Sequence, residues 1–361
     1  MTGAEYKLLF DGTAATKEQL ERFETITVDQ DAAGPWQARL EVSVSLDDQG
    51  NWVGDDEPFM QILHRIRVEL RVGEGDFQPL IDGPIAGFDS ERSSAPGQSI
   101  VTVIVNDDSA LLNRDASVVP YPAGLTDSEI AQRIFGDYPE IASTEIEDTP
   151  PPPASQQPEM RRQGTDMQFL RSLALRNNFA CGVAPGAQPA SSIGIFHMRP
   201  VFSDEPPPLV LLGRDRNIET FDVKLNAQGQ SNVVASTLSF SDKSTVTRSS
   251  QVRDLGIAGQ EQLAPGSGET VDLQHAVDSK AQRSAAFEAT GSVRGGCYAG
   301  ILTPFHPVTV QLGTTRTGGT YTIEKVTHRL GRSDYTQDFT LLTDQLSELA
   351  AGDSLIPAGL F

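Results

Sequence analysis

The side chains that could carry out chemistry are spread along the 361-residue chain without a recognisable spacing. The five histidines are His64, His197, His275, His306 and His328. They form no HExxH motif or other paired arrangement, whereas zinc needs three or four converging ligands. The two cysteines, Cys181 and Cys297, form no CxxC pair and are too few for a disulfide framework. We therefore predict no metal site and no cofactor, and we interpret both cysteines as buried small apolar side chains.

Motifs for a nucleophile or a bound phosphate are also missing from the sequence. No GxSxG elbow, P-loop or GxGxxG turn occurs. The 49 acidic residues allow a pair of carboxylates to be nominated, as in a glycosidase. However, the neighbouring acids at 47–48, 55–57 and 107–108 fall in predicted turns or at strand exits, where they have a structural explanation. We predict no catalytic residue and no enzyme, and a cell-wall hydrolase remains an open alternative.

The balance of charge limits the function as well. There are 28 basic and 49 acidic residues, which give a formal net charge of −21 at pH 7. This charge argues against nucleic-acid binding, which needs a basic surface. It serves either solubility or a passage that repels acidic polymers, and both interpretations stay open. No apolar run approaches the ~18 residues of a membrane span and no secretory signal is visible, so we expect synthesis in the cytoplasm.

The first 115 residues alternate apolar and polar side chains with a period of two, which is typical of half-buried strands. The clearest run is WQARLEVSVSL at residues 36–46, with Leu40, Val42 and Val44 on one face. Similar runs lie at residues 24–30, 64–72, 80–88 and 99–105. At least five antiparallel strands suffice for a small sandwich or closed barrel, which we assign to residues 1–115.

The next part of the chain has helical spacing in two places. The pairs at capping-box spacing, which mark helix N-termini, are Thr126 with Glu129 and Thr165 with Gln168. We predict a helix after each pair, the second followed by a short strand at residues 179–183. The proline-rich residues 148–158 cannot continue a helix or a central strand and predict a stiff linker. Residues 116–204 therefore form a small α/β insert.

Strands resume in a second β region, which we assign to residues 205–346, before a C-terminal tail at 347–361. The predicted strands are 217–225, 231–240, 299–303, 308–312, 321–328 and 337–342. Between them, residues 251–269 predict a polar loop and residues 271–286 a helix.

A hairpin in the second β region resembles one in the first. Residues 85–88 and 99–105 echo residues 321–326 and 338–342, and each hairpin has an acidic residue and then a leucine at its exit. This similarity suggests two copies of one β module.

Two short motifs and the order of the parts support a family resemblance. The helix begins as TDMQFLRSLA and the late strand as GTYTIEKVTH. The residues that match the motifs are Thr165, Asp166, Phe169, Leu170, Leu173 and Ala174 in the helix, and Gly319, Tyr321, Ile323, Val326 and His328 in the strand. The chain is therefore similar to the phage late-control and baseplate-hub proteins of contractile tails. It is also similar to the N-terminal hub part of type VI secretion spike proteins (VgrG) and to the hubs of extracellular contractile injection systems.

The resemblance implies a mainly β fold, with two tail-tube-like β-barrels plus a small α+β domain. It implies a structural hub that assembles as a homotrimer, in which three chains place six barrels in a ring. Such a ring adapts a hexameric inner tube to a trimeric spike. The implied partners are further copies of the chain, the inner tube protein, a separate spike protein and other baseplate components. The chain would then be part of an assembled phage-like or extracellular contractile particle.

Further expectations follow from the same resemblance. The motif residues would be structural or interface residues, and the insert would brace the trimer. The strands at 66–72, as an edge of the first β region, and at 321–328 would form the ring. No repeat-rich segment follows residue 346, so a separate chain is expected to supply the spike. The alternative function is a free-standing carbohydrate- or receptor-binding β protein, which would place aromatic side chains on exposed loops.

Overall fold

The computed structural model describes most of the chain. The described residues are 3–45, 57–93, 95, 98–151, 160–224, 231–239, 244–250, 259–263, 287–313, 315–332 and 334–343. The predicted helix at 271–286, the tail at 347–361 and most of the proline-rich linker lie outside these residues.

The first module is a run of antiparallel strands. Its elements are β1 (Ala4–Phe10), β2 (Thr13–Ala14), α1 (Lys17–Leu20), β3 (Phe23–Asp31), β4 (Gln37–Val44), a 3-10 turn (Pro58–Met60), β5 (Arg65–Val72), β6 (Gln78–Glu91) and β7 (Ser99–Asn106). The strands pair in the order β3-β4-β7-β6-β5-β1-β2. The five strands predicted here are confirmed, with slightly different ends. The prediction missed β1, because AEYKLLF ends in an apolar run instead of alternating.

The insert follows β7. Its elements are α2 (Ser109–Leu112), β8 (Val119–Tyr121), α3 (Asp127–Gly136), β9 (Ile141–Ile146), β10 (Met160–Arg162), α4 (Asp166–Asn177), β11 (Phe179–Pro185) and β12 (Ser192–Met198). Both predicted capping boxes are present at the starts of α3 and α4. Asn178 ends α4 in the left-handed conformation, at φ +57°. The two helices share a core with the sheet β11-β12-β9.

The remaining strands form the second module and a separate small sheet. The elements are β13 (Leu209–Val210), β14 (Ile218–Lys224), β15 (Ser231–Ser239), β16 (Ser244–Ser250), β17 (Gly259–Leu263), β18 (Phe287–Arg294), β19 (Pro307–Gln311), β20 (Gly319–Leu330) and β21 (Tyr335–Thr343). The second module consists of β13, β14 and β18–β21, whereas β15, β16 and β17 pair only among themselves in the part of the chain described.

Two predictions for the second β region are wrong, and no strand was predicted at β18. The loop expected at 251–269 contains β17, which pairs parallel to β15. The strand expected at 299–303 is irregular chain. Its backbone bonds a side chain instead of a neighbouring strand, because Gln337 accepts from the N–H of Leu302 at 2.7 Å and donates to the carbonyl of Gly300 at 3.0 Å.

One continuous sheet runs through both modules. It has 13 strands and follows the path β14-β18-β21-β20-β3-β4-β7-β6-β5-β1-β2, with β19 and β13 branching from β20. The protein is therefore mainly β, with a large curled and mostly antiparallel sheet and a few short helices. Closure into two separate barrels stays a prediction.

The strands expected to form the ring lie inside this sheet. The prediction that residues 66–72 form an edge is wrong, because β1 pairs with one side of β5 and β6 with the other. Residues 321–328 belong to β20. Strand β21 pairs along one edge of β20, while β19 and β3 share the other edge. Neither segment therefore offers a free edge.

The hairpin echo seen in the sequence extends to whole modules. The order β3-β4-β7-β6-β5 of the first module matches β14-β18-β21-β20-β19 of the second. The strand registers are also interrupted at equivalent points. Glu24 of β3 and Glu219 of β14 sit at one irregularity, and Ala86 of β6 and Glu324 of β20 at the other. Because β-bulges are specific local features, the shared pair indicates a true repeat.

A substitution in α4 tests how the insert is held together. Leu173 is 2% exposed in the insert core, whereas Leu175 of the same helix is 57% exposed. We expect Leu173→Asp to lower the free energy of unfolding of the insert by more than about 4 kcal/mol, because it removes a buried side chain and buries a charge. Leu175→Asp is the matched control and should have a small effect. Limited proteolysis and thermal melting would measure both, and a stable Leu173→Asp insert would contradict the prediction.

Candidate assembly site

The motif residues predicted from the sequence fall into two groups that the fold keeps apart. Those of α4 lie in the core of the insert, and those of β20 lie in the core of the second module or at its boundary with the first. Most of these side chains are buried inside the chain. They therefore shape the subunit from within, and their part in contacts between subunits stays a prediction.

The α4 group fixes the start of the helix and its packing. The hydroxyl of Thr165 accepts from the N–H of Gln168 at 3.2 Å. Asp166 accepts from the Tyr138 hydroxyl at 2.7 Å and pairs with Arg162. The apolar members of the group face the strands of the insert sheet and are Phe169, Leu170, Leu173 and Ala174.

The β20 group lies along a strand that crosses from one module to the other. Gly319 begins the strand at φ +137°, a backbone conformation that favours glycine. Tyr321, Ile323 and Val326 are buried in the core of the second module. His328 lies further along, where β20 pairs antiparallel with β3 of the first module.

His328 is the centre of a buried polar cluster, which we call the module junction: Gln30, His328, Tyr335 and Gln337. The Nε2 atom of His328 is 3.1 Å from Oε1 of Gln30, and its Nδ1 atom is 2.8 Å from the Tyr335 hydroxyl. The amide nitrogen of Gln30 donates to the carbonyl of Leu80 at 2.7 Å, which leaves its oxygen to accept. His328 therefore donates from Nε2 and accepts from Tyr335 at Nδ1, as a neutral imidazole does.

The surroundings of the junction favour this uncharged state. Burial lowers the pKa of His328 to about 3, and burial also raises the pKa of Tyr335 well above its usual value. Both groups are thus neutral near pH 7, and their hydrogen bonds join strands of two modules without a buried charge. On the neighbouring surface, Thr327 donates to Asp29 at 2.6 Å across the same pair of strands.

Sequence reasoning singled out His328 but missed its partners. Gln30 is in phase with Ile26 and Val28 of β3, and Gln337 is in phase with the apolar residues of β21. A polar residue at such a core position indicates a buried hydrogen-bonding group. That signal was available in the sequence, but nothing in it showed that Gln30 bonds His328 or that Gln337 faces His328 across the β20–β21 pair.

A second polar site attaches the insert to the first module, and we call it the charge cluster: Arg65, Arg67, Asp82 and Asp108. Arg65 donates to both carboxylate oxygens of Asp108, at 2.8 and 2.9 Å, and to Asp82 at 3.0 Å. Arg67 is 2% exposed and donates to Asp82 at 3.1 Å. A buried charge is tolerated only when it is paired and hydrogen-bonded, and here each charge has an opposite neighbour.

The insert closes over this cluster with the turn between β11 and β12. Arg67 donates to three successive backbone carbonyls of that turn, those of Gly186, Ala187 and Gln188, at 2.9 to 3.1 Å. In return, the N–H of Ala190 donates to Asp82 at 2.8 Å, and the hydroxyl of Ser192 donates to Asp108 at 2.7 Å. The sequence did not reveal this site, because the charged face of β5 reads like an ordinary solvated face.

The acidic pair at the exit of β7 has a structural role as well. Asp107 accepts from the N–H of Trp36 at 2.7 Å and from the N–H of Ser109 at 3.1 Å. Burial raises the pKa of Asp107 to about 7. Asp107 thus holds the chain where it leaves the first module, and Asp108 joins the charge cluster.

Ionisable side chains also line a cavity. One polar cavity of about 290 Å³ is lined by Asp76, Asp204, Glu205 and His306, among others. His306 contacts Asp204 at 3.4 Å and stacks on Phe202. Within the described ranges, no group of three or more His, Cys, Asp or Glu side chains could hold a metal ion. Among the helices that can be described, none is long and apolar enough to cross a membrane.

Comparison with known proteins identifies relatives by fold alone. No family model and no curated protein matches the sequence. A tail protein from Neisseria meningitidis MC58 aligns with a TM-score of 0.64 and 15% identity, over 95% of this chain and 97% of the other. The 43 kDa tail protein of prophage MuSo2 from Shewanella oneidensis gives 0.64 and 13%, over 94% and 98%.

A protein from a secretion system has a similar fold. The E. coli protein c3393, a component of the type VI secretion system with structural similarity to the T4 bacteriophage tail proteins gp27 and gp5, aligns with a TM-score of 0.58 and 14% identity. The match covers 95% of this chain and 77% of that one. The resemblance predicted from the two motifs is thus confirmed at the level of the fold.

Removing the histidine tests the module junction. A group with a folded-state pKa of about 3 and an ordinary value of 6.5 binds its proton more readily when unfolded. Above pH 6.5 the titration of His328 therefore does not affect the free energy of unfolding. As the pH falls from 6.5 towards 3, protonation of the unfolded chain lowers the free energy of unfolding by up to about 5 kcal/mol. We expect His328→Gln to be less stable at pH 7 but to lose less stability over that interval. Denaturant unfolding at several pH values would measure the difference, and parallel pH profiles would contradict the prediction.

A matched pair of arginines on β5 tests the charge cluster. Arg67→Met should cost about 3–5 kcal/mol, because it removes the arginine donor from the carbonyls of Gly186, Ala187 and Gln188 and leaves the buried Asp82 with one arginine fewer. Arg71→Met is the control, since Arg71 lies nearer the surface beside Glu5 and Phe77, and should cost less than about 1 kcal/mol. Protease cleavage within the insert would report the detachment. Equal cleavage of the two variants would show that the cluster does not hold the insert.

Proposed function

We propose that the chain is a structural hub subunit of a contractile phage tail or injection particle, and that it acts as a homotrimer. In this role it adapts a hexameric inner tube to a trimeric spike. The observation that carries the proposal is the repeat of one β module within one chain, with the two copies joined edge to edge by β20 and β3. Three such chains supply six similar modules towards the tube and keep threefold symmetry towards the spike.

The relatives by fold support the same role. Two of them are phage tail proteins, and a third is a component of a type VI secretion system. We infer a non-enzymatic function from this likeness together with the structural explanations found for the buried ionisable groups. The proposed partners are the tube protein, a separate spike protein and other baseplate components, and the proposed location is the assembled particle.

The three parts of the chain then have distinct tasks. We assign the first module to residues 1–115, the insert to 116–204 and the second module to 205–346. In the β20 motif, His328 joins the two modules, and Tyr321, Ile323 and Val326 pack the core of the second module. The motif residues of α4 pack the insert. The charge cluster sets the position of the insert on the first module, from where it would brace the trimer.

The alternative of a receptor-binding protein receives less support. Such a protein needs aromatic side chains on its surface. In the described part of the chain, the strongly exposed large apolar side chains are aliphatic or methionine, whereas Trp36, Tyr298, Tyr321 and Phe23 are fully buried.

Electron microscopy of the assembled protein tests the proposal. The chain would be co-expressed with the proposed partners, the tube and spike proteins, and the purified complex would be imaged. We expect class averages with threefold symmetry and six similar lobes, with a spike on one side. The chain expressed alone is the control for contacts that depend on the partners. Monomers that bind neither the tube nor the spike protein would contradict the proposal.

A further inference from the structure

The repeat holds down to individual backbone hydrogen bonds. Each module has a residue with positive φ, Leu63 at +72° in the first and Phe305 at +74° in the second. The N–H of this residue donates to the carbonyl of an isoleucine, in β6 for the first module and in β20 for the second. These isoleucines are Ile85 and Ile323, and the bonds measure 3.1 and 3.0 Å. The histidine that follows each positive-φ residue accepts from the N–H of the same isoleucine, at 2.8 and 2.9 Å. The two modules can therefore be equated residue by residue.

This equivalence assigns a counterpart to each strand of the β3–β20 pair, which joins the two modules within one chain and which we call the internal junction. Strand β14 is the counterpart of β3, and β6 is the counterpart of β20. The registers on the neighbouring strands β4, β18, β7 and β21 fix the alignment. Asp29 of β3 corresponds to Lys224 of β14, and Thr327 of β20 corresponds to Asp89 of β6.

The counterparts of the joined edges are unpaired in the part of the chain that is described. The outer edge of β3 pairs with the second half of β20, but the outer edge of β14 has no strand partner there. The second half of β6 pairs with β7 along one edge and with no strand along the other. One chain thus contains one completed junction and both halves of a second one.

The apolar side chains at the two free edges are less buried than their counterparts. Phe221 and Val223 of β14 are half-buried, whereas Ile26 and Val28 at the same positions of β3 are 1% and 0% exposed. Phe88 of β6 is also half-buried, whereas its counterpart in β20, Val326, is fully buried. The residues of β3 and β20 are more buried because each of these strands has the other as a neighbour at the internal junction.

We infer that the free edge of β14 in one copy pairs antiparallel with the second half of β6 in the next copy, in the register of the internal junction. This inference rests on the proposed function and names the contact that forms its ring. The two halves differ, so the contact is head-to-tail, and such a contact closes into a ring when its rotation permits. Three internal and three intermolecular junctions then alternate around six modules.

The charges at the inferred contact agree with this register. Asp89 lies opposite Lys224, at the position where Thr327 donates to Asp29 within the chain. Opposite charges at facing positions stabilise an antiparallel pair. The same register places Glu91 opposite Asp222, and both side chains are exposed, where salt screens their repulsion.

A designed disulfide tests the contact directly. Residues facing each other in an antiparallel pair have Cα atoms about 4.5–5.5 Å apart, which is within disulfide range. The variant would be Asp89→Cys with Lys224→Cys. It needs a Cys297→Ser background, because Cys297 is exposed and not buried as predicted, whereas Cys181 is buried. Six strands separate β6 from β14 along the sheet, so a disulfide between them joins different copies.

The matched control is Ser90→Cys with Lys224→Cys in the same background. A shift by one residue turns the side chain to the other face of the strand, so this pair should not cross-link. We expect the first variant to run mainly as a covalent trimer on denaturing gels without reductant and as a monomer with reductant. The control should remain monomeric on both gels.

The oligomeric state of the protein without cross-links distinguishes failure of the β14–β6 pairing from failure of the proposed function. A noncovalent trimer in native mass spectrometry, with no disulfide in the first variant or equal disulfides in both, would overturn the strand pairing and leave the proposed function standing. Absence of a trimer for the uncross-linked protein with its partners present would overturn both. Covalent chains longer than three would support the pairing and contradict closure of the ring.

Discussion

A β-strand offers two hydrogen-bonding edges, and β20 divides one of its edges between two partners. Its first part pairs with β19 in its own module, and its second part pairs with β3 of the other module. Twelve residues, Gly319–Leu330, are long enough for both. Because the ladder is continuous, the two modules form one sheet, and their mutual position is set by backbone hydrogen bonds and not by loosely packed surfaces. The position of the insert depends in turn on the first module.

The polar cluster at this ladder explains why the two modules meet in one register. His328 has its hydrogen bonds satisfied by Gln30 on one strand and Tyr335 on another. A slip of β20 by one residue would turn His328 out of the core and break both bonds. A slip by two residues would keep apolar side chains in the core, and a wholly apolar seam would tolerate it because apolar contacts are not directional. Here that slip would still separate His328 from Gln30 and Tyr335. The cluster therefore adds specificity to a ladder that already provides cohesion.

The sequence predicted local structure better than it predicted contacts. Period-2 alternation located most strands of the two modules, although it missed β1 and β18, and capping-box spacing located α3 and α4. Both signals depend on residues close in sequence. The failures were long-range. The strand expected at 299–303 is irregular because a distant side chain, Gln337, bonds its backbone. The charged face of β5 is buried because a turn more than 100 residues later covers it, and no local pattern carries that information.

The way in which Arg67 holds the insert has a consequence for how the protein can evolve. Its guanidinium binds the backbone carbonyls of Gly186, Ala187 and Gln188, which every amino acid possesses. The attachment is therefore indifferent to the side chains at the last two positions. Gly186 is the exception, because a Cβ there would lie 2.6 Å from the carbonyl oxygen of Ser191. Lineages can thus remodel the exposed chemistry of this turn while its docking to the sheet is preserved.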